Sequence, residues 1–114
     1  MTTQAIVPGE LRNFVKEYAD DYYALTLLFF FAAYPNARFN SRAIVGALGL
    51  QGNHQSLKQA LGRLVEKRIT DVSEDTAVPV YRLGDDTSTR SRVIEMGKLS
   101  SGQKQELLGL THSS

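Results

Sequence analysis

The chain has 114 residues, 42% hydrophobic and 22% charged, which are the proportions of an ordinary folded domain able to bury a core without covalent staples. It has no cysteine, which excludes disulfides, thiolate catalysis and cysteine-held metals; this suits a reducing, cytoplasmic interior. The formal net charge is only +1, yet it is segregated: residues 1–21 sum to −2, residues 22–68 to +5, residues 69–86 to −4 and residues 87–114 to +2. Local field governs attraction to a polyanion more than the total does, so the central segment is the candidate nucleic-acid face.

The N-terminal MTTQAIVPGELR has neither a basic n-region nor a long apolar run, and no signal peptide is expected. Residues 1–7 read as a loose start. Pro8 then opens a helix, because its missing N–H costs nothing in a first turn. Leu11, Phe14, Val15 and Tyr18 fall at i, i+3, i+4 and i+7, a helical stripe. At Asp20 and Asp21 the pattern changes: either one caps a new helix, Tyr22 to Ala33, or one long helix continues. The most apolar stretch, Ala24 to Tyr34, has 11 residues where a bilayer span needs about 20, so a buried helix is expected and no membrane contact. It is apolar nearly all round and must be covered on several sides. Tyr22, Tyr23, Phe29, Phe30 and Phe31 are many rings for one small chain to bury, which predicts that a second copy supplies part of the cover. Tyr34-Pro35-Asn36 stops the helix.

Arg38-Phe39 predicts a very short strand. Asn40 is a good N-cap, with Phe39 and Ile44 as the apolar pair that staples the chain's entry into the next helix. Ile44, Val45 and Leu48 form its buried stripe, and Gly49 ends it as a left-handed cap. Leu50 anchors the turn, and Gly52 and Asn53 lead into a second helix with Asn53 as its cap. There Leu57, Ala60, Leu61, Leu64 and Val65 recur at helical spacing. Two short amphipathic helices joined by a glycine-marked turn have the layout of a helix-turn-helix. Ile69–Val72 and Val78–Leu83 alternate as the strands of a hairpin, with residues 73–77 at its tip and Pro79 where no ladder N–H is needed. Beyond Gly84, Val93, Met96 and Leu99 suggest a short helix, and Gln103 to Leu110 a turn or two more. The expected fold is mainly α with a small β-hairpin, an α+β domain. Residues 1–34 would be N-terminal helices used in dimerisation, 37–84 the helix-turn-helix and hairpin, and 85–114 a C-terminal helical segment.

Within the second helix, Ser56, Leu57, Leu61, Leu64, Glu66, Lys67 and Ile69 match the recognition-helix pattern of winged-helix regulators. Over about residues 37–84 the chain resembles the winged helix-turn-helix family, most closely regulators of the MarR or PadR kind. Two departures stand out. Arg68 occupies a position usually held by glycine, which predicts a strained or differently shaped helix end. The tip pair Glu74-Asp75 is acidic where a DNA-contacting wing is usually basic.

Burying the apolar stripe of the second helix leaves Gln55, Ser56, Lys58, Gln59, Gly62, Arg63 and Glu66 pointing outward. Gln and Asn can bond an adenine edge bidentately, and Lys or Arg can bind guanine, so Asn53, Gln55, Ser56, Lys58 and Gln59 are assigned to base reading. Arg38, Arg42, Arg63 and Lys67 are assigned to phosphates. No metal or cofactor site is expected: His54 and His112 lack partners, and the pairs Asp20-Asp21, Glu74-Asp75 and Asp85-Asp86 sit at element ends, where Asp caps and turns. No glycine-rich phosphate loop follows a strand, and no enzyme activity is expected. The sequence therefore reads as a homodimeric, sequence-specific DNA-binding transcriptional regulator. Its recognition helix would run from about Asn53 to Lys67 and its partner would be double-stranded DNA; a small-molecule effector is left open. The rival reading, favoured by the acidic tip, is a winged helix that binds protein instead.

Overall fold

The computed structural model describes residues 7–19, 21–49, 54–74 and 77–110. Its elements in chain order are helix α1 (Gly9–Tyr18), α2 (Tyr22–Ala33), strand β1 (Phe39–Asn40), α3 (Ser41–Leu48), α4 (His54–Glu66), β2 (Thr70–Ser73), β3 (Val80–Leu83), α5 (Thr87–Gly97) and α6 (Ser101–Leu110). Mainly helical with one small antiparallel sheet, it is the expected α+β class.

Short-range chemistry sets most of the boundaries. Pro8 stands one residue before α1, as its cap rather than inside its first turn; its carbonyl accepts from the N–H groups of Leu11 and Arg12, both at 3.1 Å. Asp21 is the carboxylate that starts α2, accepting from Tyr23 N at 2.8 Å and Ala24 N at 3.4 Å. Asn40 caps α3 through Ala43 N at 2.8 Å, and Gly49 ends it at φ 67°. The turn residues Leu50, Gly52 and Asn53 lie outside the described residues.

α4 ends in a Schellman motif. Ile69 N donates to Leu64 O and Arg68 N to Val65 O, each at 3.0 Å, and Arg68 adopts φ 63°. The expected departure at this helix end is thus a left-handed arginine, in a conformation that glycine adopts freely. The backbone then turns into β2. Gly84 closes the far end of the hairpin: its N–H donates to Ile69 O at 2.9 Å, and a Cβ there would stand 3.0 Å from Arg68 O. The hairpin pairs Thr70 with Leu83 and Ser73 with Val80, while β1 adds to β3 through Phe39 and Tyr81, giving the sheet order β1-β3-β2.

α2 is the centre of the core. Leu25, Leu27, Leu28 and Phe31 are fully buried, with α5 and α4 packed against it. Gly97 of α5 lets the two backbones approach, since a Cβ there would lie 2.9 Å from Ala32 Cβ. The chain's own helices cover more of α2 than its composition suggests. Phe30 and Phe31 are buried, Tyr23 and Phe29 are half-buried, and Tyr22 and Tyr34 remain exposed at 37% and 52%. Both C-terminal helices are longer than expected; Val93, Met96 and Leu107 bury into the same core.

Candidate nucleic-acid interface

The buried stripe of α4, Leu57, Ala60, Leu61 and Leu64, docks on α2 and β2. At about 100° per residue, the opposite face carries Gln55, Gln59, Gly62 and Glu66. All four are exposed. Among the described residues no atom of another element lies within 4 Å of where a Gly62 Cβ would be, so this glycine serves no packing contact among them. Its absence of side chain leaves the helix backbone open to whatever approaches.

The two flanks of that face differ. Lys58 shares a side with Val65, which lines a cleft of about 620 Å³ together with Arg38, the β2 residues and Arg82. Arg38, Arg42 and Lys58 are exposed, and among the described residues no carboxylate pairs with any of them. The other flank faces the α1–α2 corner. Arg63 is ion-paired to Asp21, and Lys67 Nζ donates to the Glu17 carbonyl at 3.3 Å while standing 6.0 Å from the Tyr18 ring centre. Of the four residues assigned to phosphate, two are therefore without a described partner and two are already engaged. Of the five assigned to base edges, Gln55, Lys58 and Gln59 are exposed, Ser56 is half-buried at the corner-facing flank, and Asn53 lies outside the described residues. The tether between α4 and the corner was not foreseen in the sequence, because Asp21 was legible only as a cap.

The one cation of residues 69–86 is committed to carboxylates of the same segment. Arg82 bonds Asp85 at 2.6 and 2.9 Å and reaches Asp71 across the strands at 3.5 Å. Its hydrogen bond and charge hold the Asp85 carboxyl below the usual carboxylate range, and Asp85 in turn raises Arg82. Asp86 caps α5 by accepting from Thr89 N at 3.0 Å, and that bond depresses its carboxyl as well. Glu74 is exposed near the tip; Asp75 lies outside the described residues.

An apolar groove of about 410 Å³ runs between α2, the end of α3 and α6, with Phe29, Tyr34, Leu48 and Leu108 among its walls. Among the described residues there is no cluster of three or more metal-ligating side chains, and no helix is long and apolar enough to cross a membrane. No family model matches the chain, and no curated protein or solved structure matches it either.

Proposed function

We propose that the chain is a winged helix-turn-helix protein that binds double-stranded DNA, with α4 entering the major groove, and that it acts as a homodimeric transcriptional regulator in the cytoplasm. The observation that carries this reading is the outward face of α4. It offers two glutamines, an adjacent lysine and an open glycine, with one carboxylate, Glu66, at its C-terminal end; Arg38 lies just before β1 and Arg42 on α3. A helix about 10–12 Å across fits a major groove about 12 Å wide. Its 13 residues span roughly 20 Å, enough to follow several base edges. Gln55 and Gln59 are one turn apart and suit adjacent adenines, Lys58 suits a guanine, and Arg38 and Arg42 suit flanking phosphates. This is binding chemistry rather than catalysis.

The hairpin supplies no free cation, since Arg82 is committed to Asp71 and Asp85. In this reading DNA recognition rests on the helix and not on the wing. The rival reading, a protein-interaction module, draws on the acidic tip, where Glu74 is exposed, while Asp71, Asp85 and Asp86 are each used within the chain.

The test is titration of a random duplex at two salt concentrations. Counterion release makes the affinity fall steeply with salt, by about 0.9 log unit per log unit for each phosphate neutralised. Absence of binding at low salt would end the DNA reading and leave the protein-interaction module. If binding is seen, selection from random oligonucleotides gives a preferred site. Gln59→Ala should then cost roughly 1–3 kcal/mol on that site and little on random duplex.

A further inference from the structure

The corner between α1 and α2 bears on the chemistry of α4 in a way that packing does not require. Asp21 divides its two oxygens: Oδ1 accepts from the first turn of α2, and Oδ2 accepts from Arg63 Nη2. Four residues further on, just past the end of α4, Lys67 Nζ meets the carbonyl of Glu17, one of the last carbonyls of α1, which have no partner within the helix. Both side chains of the ion pair are partly exposed, at 49% for Arg63 and 35% for Asp21. A pair this wet contributes little to folding. It does, however, fix where the Arg63 guanidinium points and what neutralises it.

Resting on the reading of α4 as the DNA-facing helix, we propose that Asp21 is a positioning residue for that face: it holds Arg63 against the α1–α2 corner and so limits the positive charge that α4 offers to a phosphate backbone. A guanidinium already facing a carboxylate releases fewer counterions when a phosphate arrives. The outward stripe, Gln55, Gln59 and the Gly62 backbone, is untouched by this tether and keeps its access to base edges. The consequence is a bias toward sequence reading. General affinity for any duplex is held down, while contacts to bases stay available.

Asp21→Asn tests this, because asparagine caps a helix as well as aspartate does while removing the charge that holds Arg63. On random duplex at low salt, Asp21→Asn should bind about three- to tenfold more tightly, with a salt slope steeper by about 0.9. The gain must depend on Arg63, so in an Arg63→Ala background Asp21→Asn should change affinity less than about twofold. Glu17→Gln removes a nearby negative charge without freeing Arg63, and should give less than half the gain. Thermal unfolding of each variant verifies that it is folded. If wild type binds DNA but Asp21→Asn binds no better, or gains equally without Arg63, the positioning role is overturned and the DNA reading stands. If neither wild type nor Asp21→Asn binds any duplex at low salt, both fall together. Binding by Asp21→Asn alone would support the tether in its strongest form.

Discussion

Arg68 holds a left-handed backbone at the end of α4, and no hydrogen bond or ion pair of its side chain is seen among the described residues. It is the one non-glycine residue with positive φ among the described residues. The left-handed conformation costs an L-residue roughly 1–2 kcal/mol. Glycine removes that cost but gives part of the gain back through a more flexible unfolded chain. Arg68→Gly should therefore stabilise the protein by about 0.5–1 kcal/mol in chemical denaturation, whereas Arg68→Ala, which keeps the Cβ, should not. A neutral or destabilising Arg68→Gly would mean that the arginine makes a compensating interaction. The same strained position links the end of α4 to the hairpin, where the Gly84 N–H reaches Ile69 O across the strands. A side chain at Gly84 would press on two backbone carbonyls, those of Arg68 and Ile69.

At the scale of elements, α4 carries a cost with no internal return. Gly62 lies in mid-helix, exposed, and among the described residues no other element comes within 4 Å of its absent Cβ. Gly62→Ala should raise stability by about 1 kcal/mol through helix propensity. If DNA approaches the backbone there, the same variant should bind duplex more weakly. More stability with unchanged binding would remove Gly62 from the interface. The start of α5 makes a second prediction. Asp85 and Asp86 both titrate below the ordinary value of 3.8 in the folded chain, Asp85 through its Arg82 hydrogen bond and Asp86 through the Thr89 N–H. A carboxyl depressed by folding contributes stability above its unfolded pKa and loses it as the pH falls through the lower folded value. Thermal stability should therefore decline as the pH drops below about 4. Asp86→Asn keeps the cap without the titration, so melts between about pH 5 and pH 2 should show a shallower acid limb for it. An unchanged limb would place the acid sensitivity elsewhere.

At the scale of the whole molecule, the apolar groove between α2 and α6 is the surface on which a dimer is tested. Tyr34 and half-buried Phe29 line it, and Tyr34 packs its ring against Phe30 and Phe39, so an approaching surface would meet a fixed aromatic wall. If a second copy docks there, wild type should sediment as a dimer at micromolar concentration, and Tyr34→Asp should shift it toward monomer while staying folded. A monomeric wild type would count against the dimer. What the sequence alone determined was local. Asn40 and Gly49 announced helix ends because a cap acts within one turn of its own residue, whereas at Asp20-Asp21 a capped new helix and one continuous helix were equally legible, and the structure decided for Asp21 as the cap. The stripes of α1, α3 and α4 announced buried faces because side-chain period and helix period coincide. The outward residues of α4 followed directly from its stripe. Only the tertiary structure decided what those faces meet. The Asp21–Arg63 pair spans 42 residues and the Lys67–Glu17 bond 50, and no local pattern records how two helices will dock. The cover of α2 was also a tertiary matter. α5 looks polar in sequence, yet Val93, Met96 and the close approach of Gly97 to Ala32 let it lie against the aromatic helix. Composition counts apolar residues, but burial depends on which backbones can come close enough to share them.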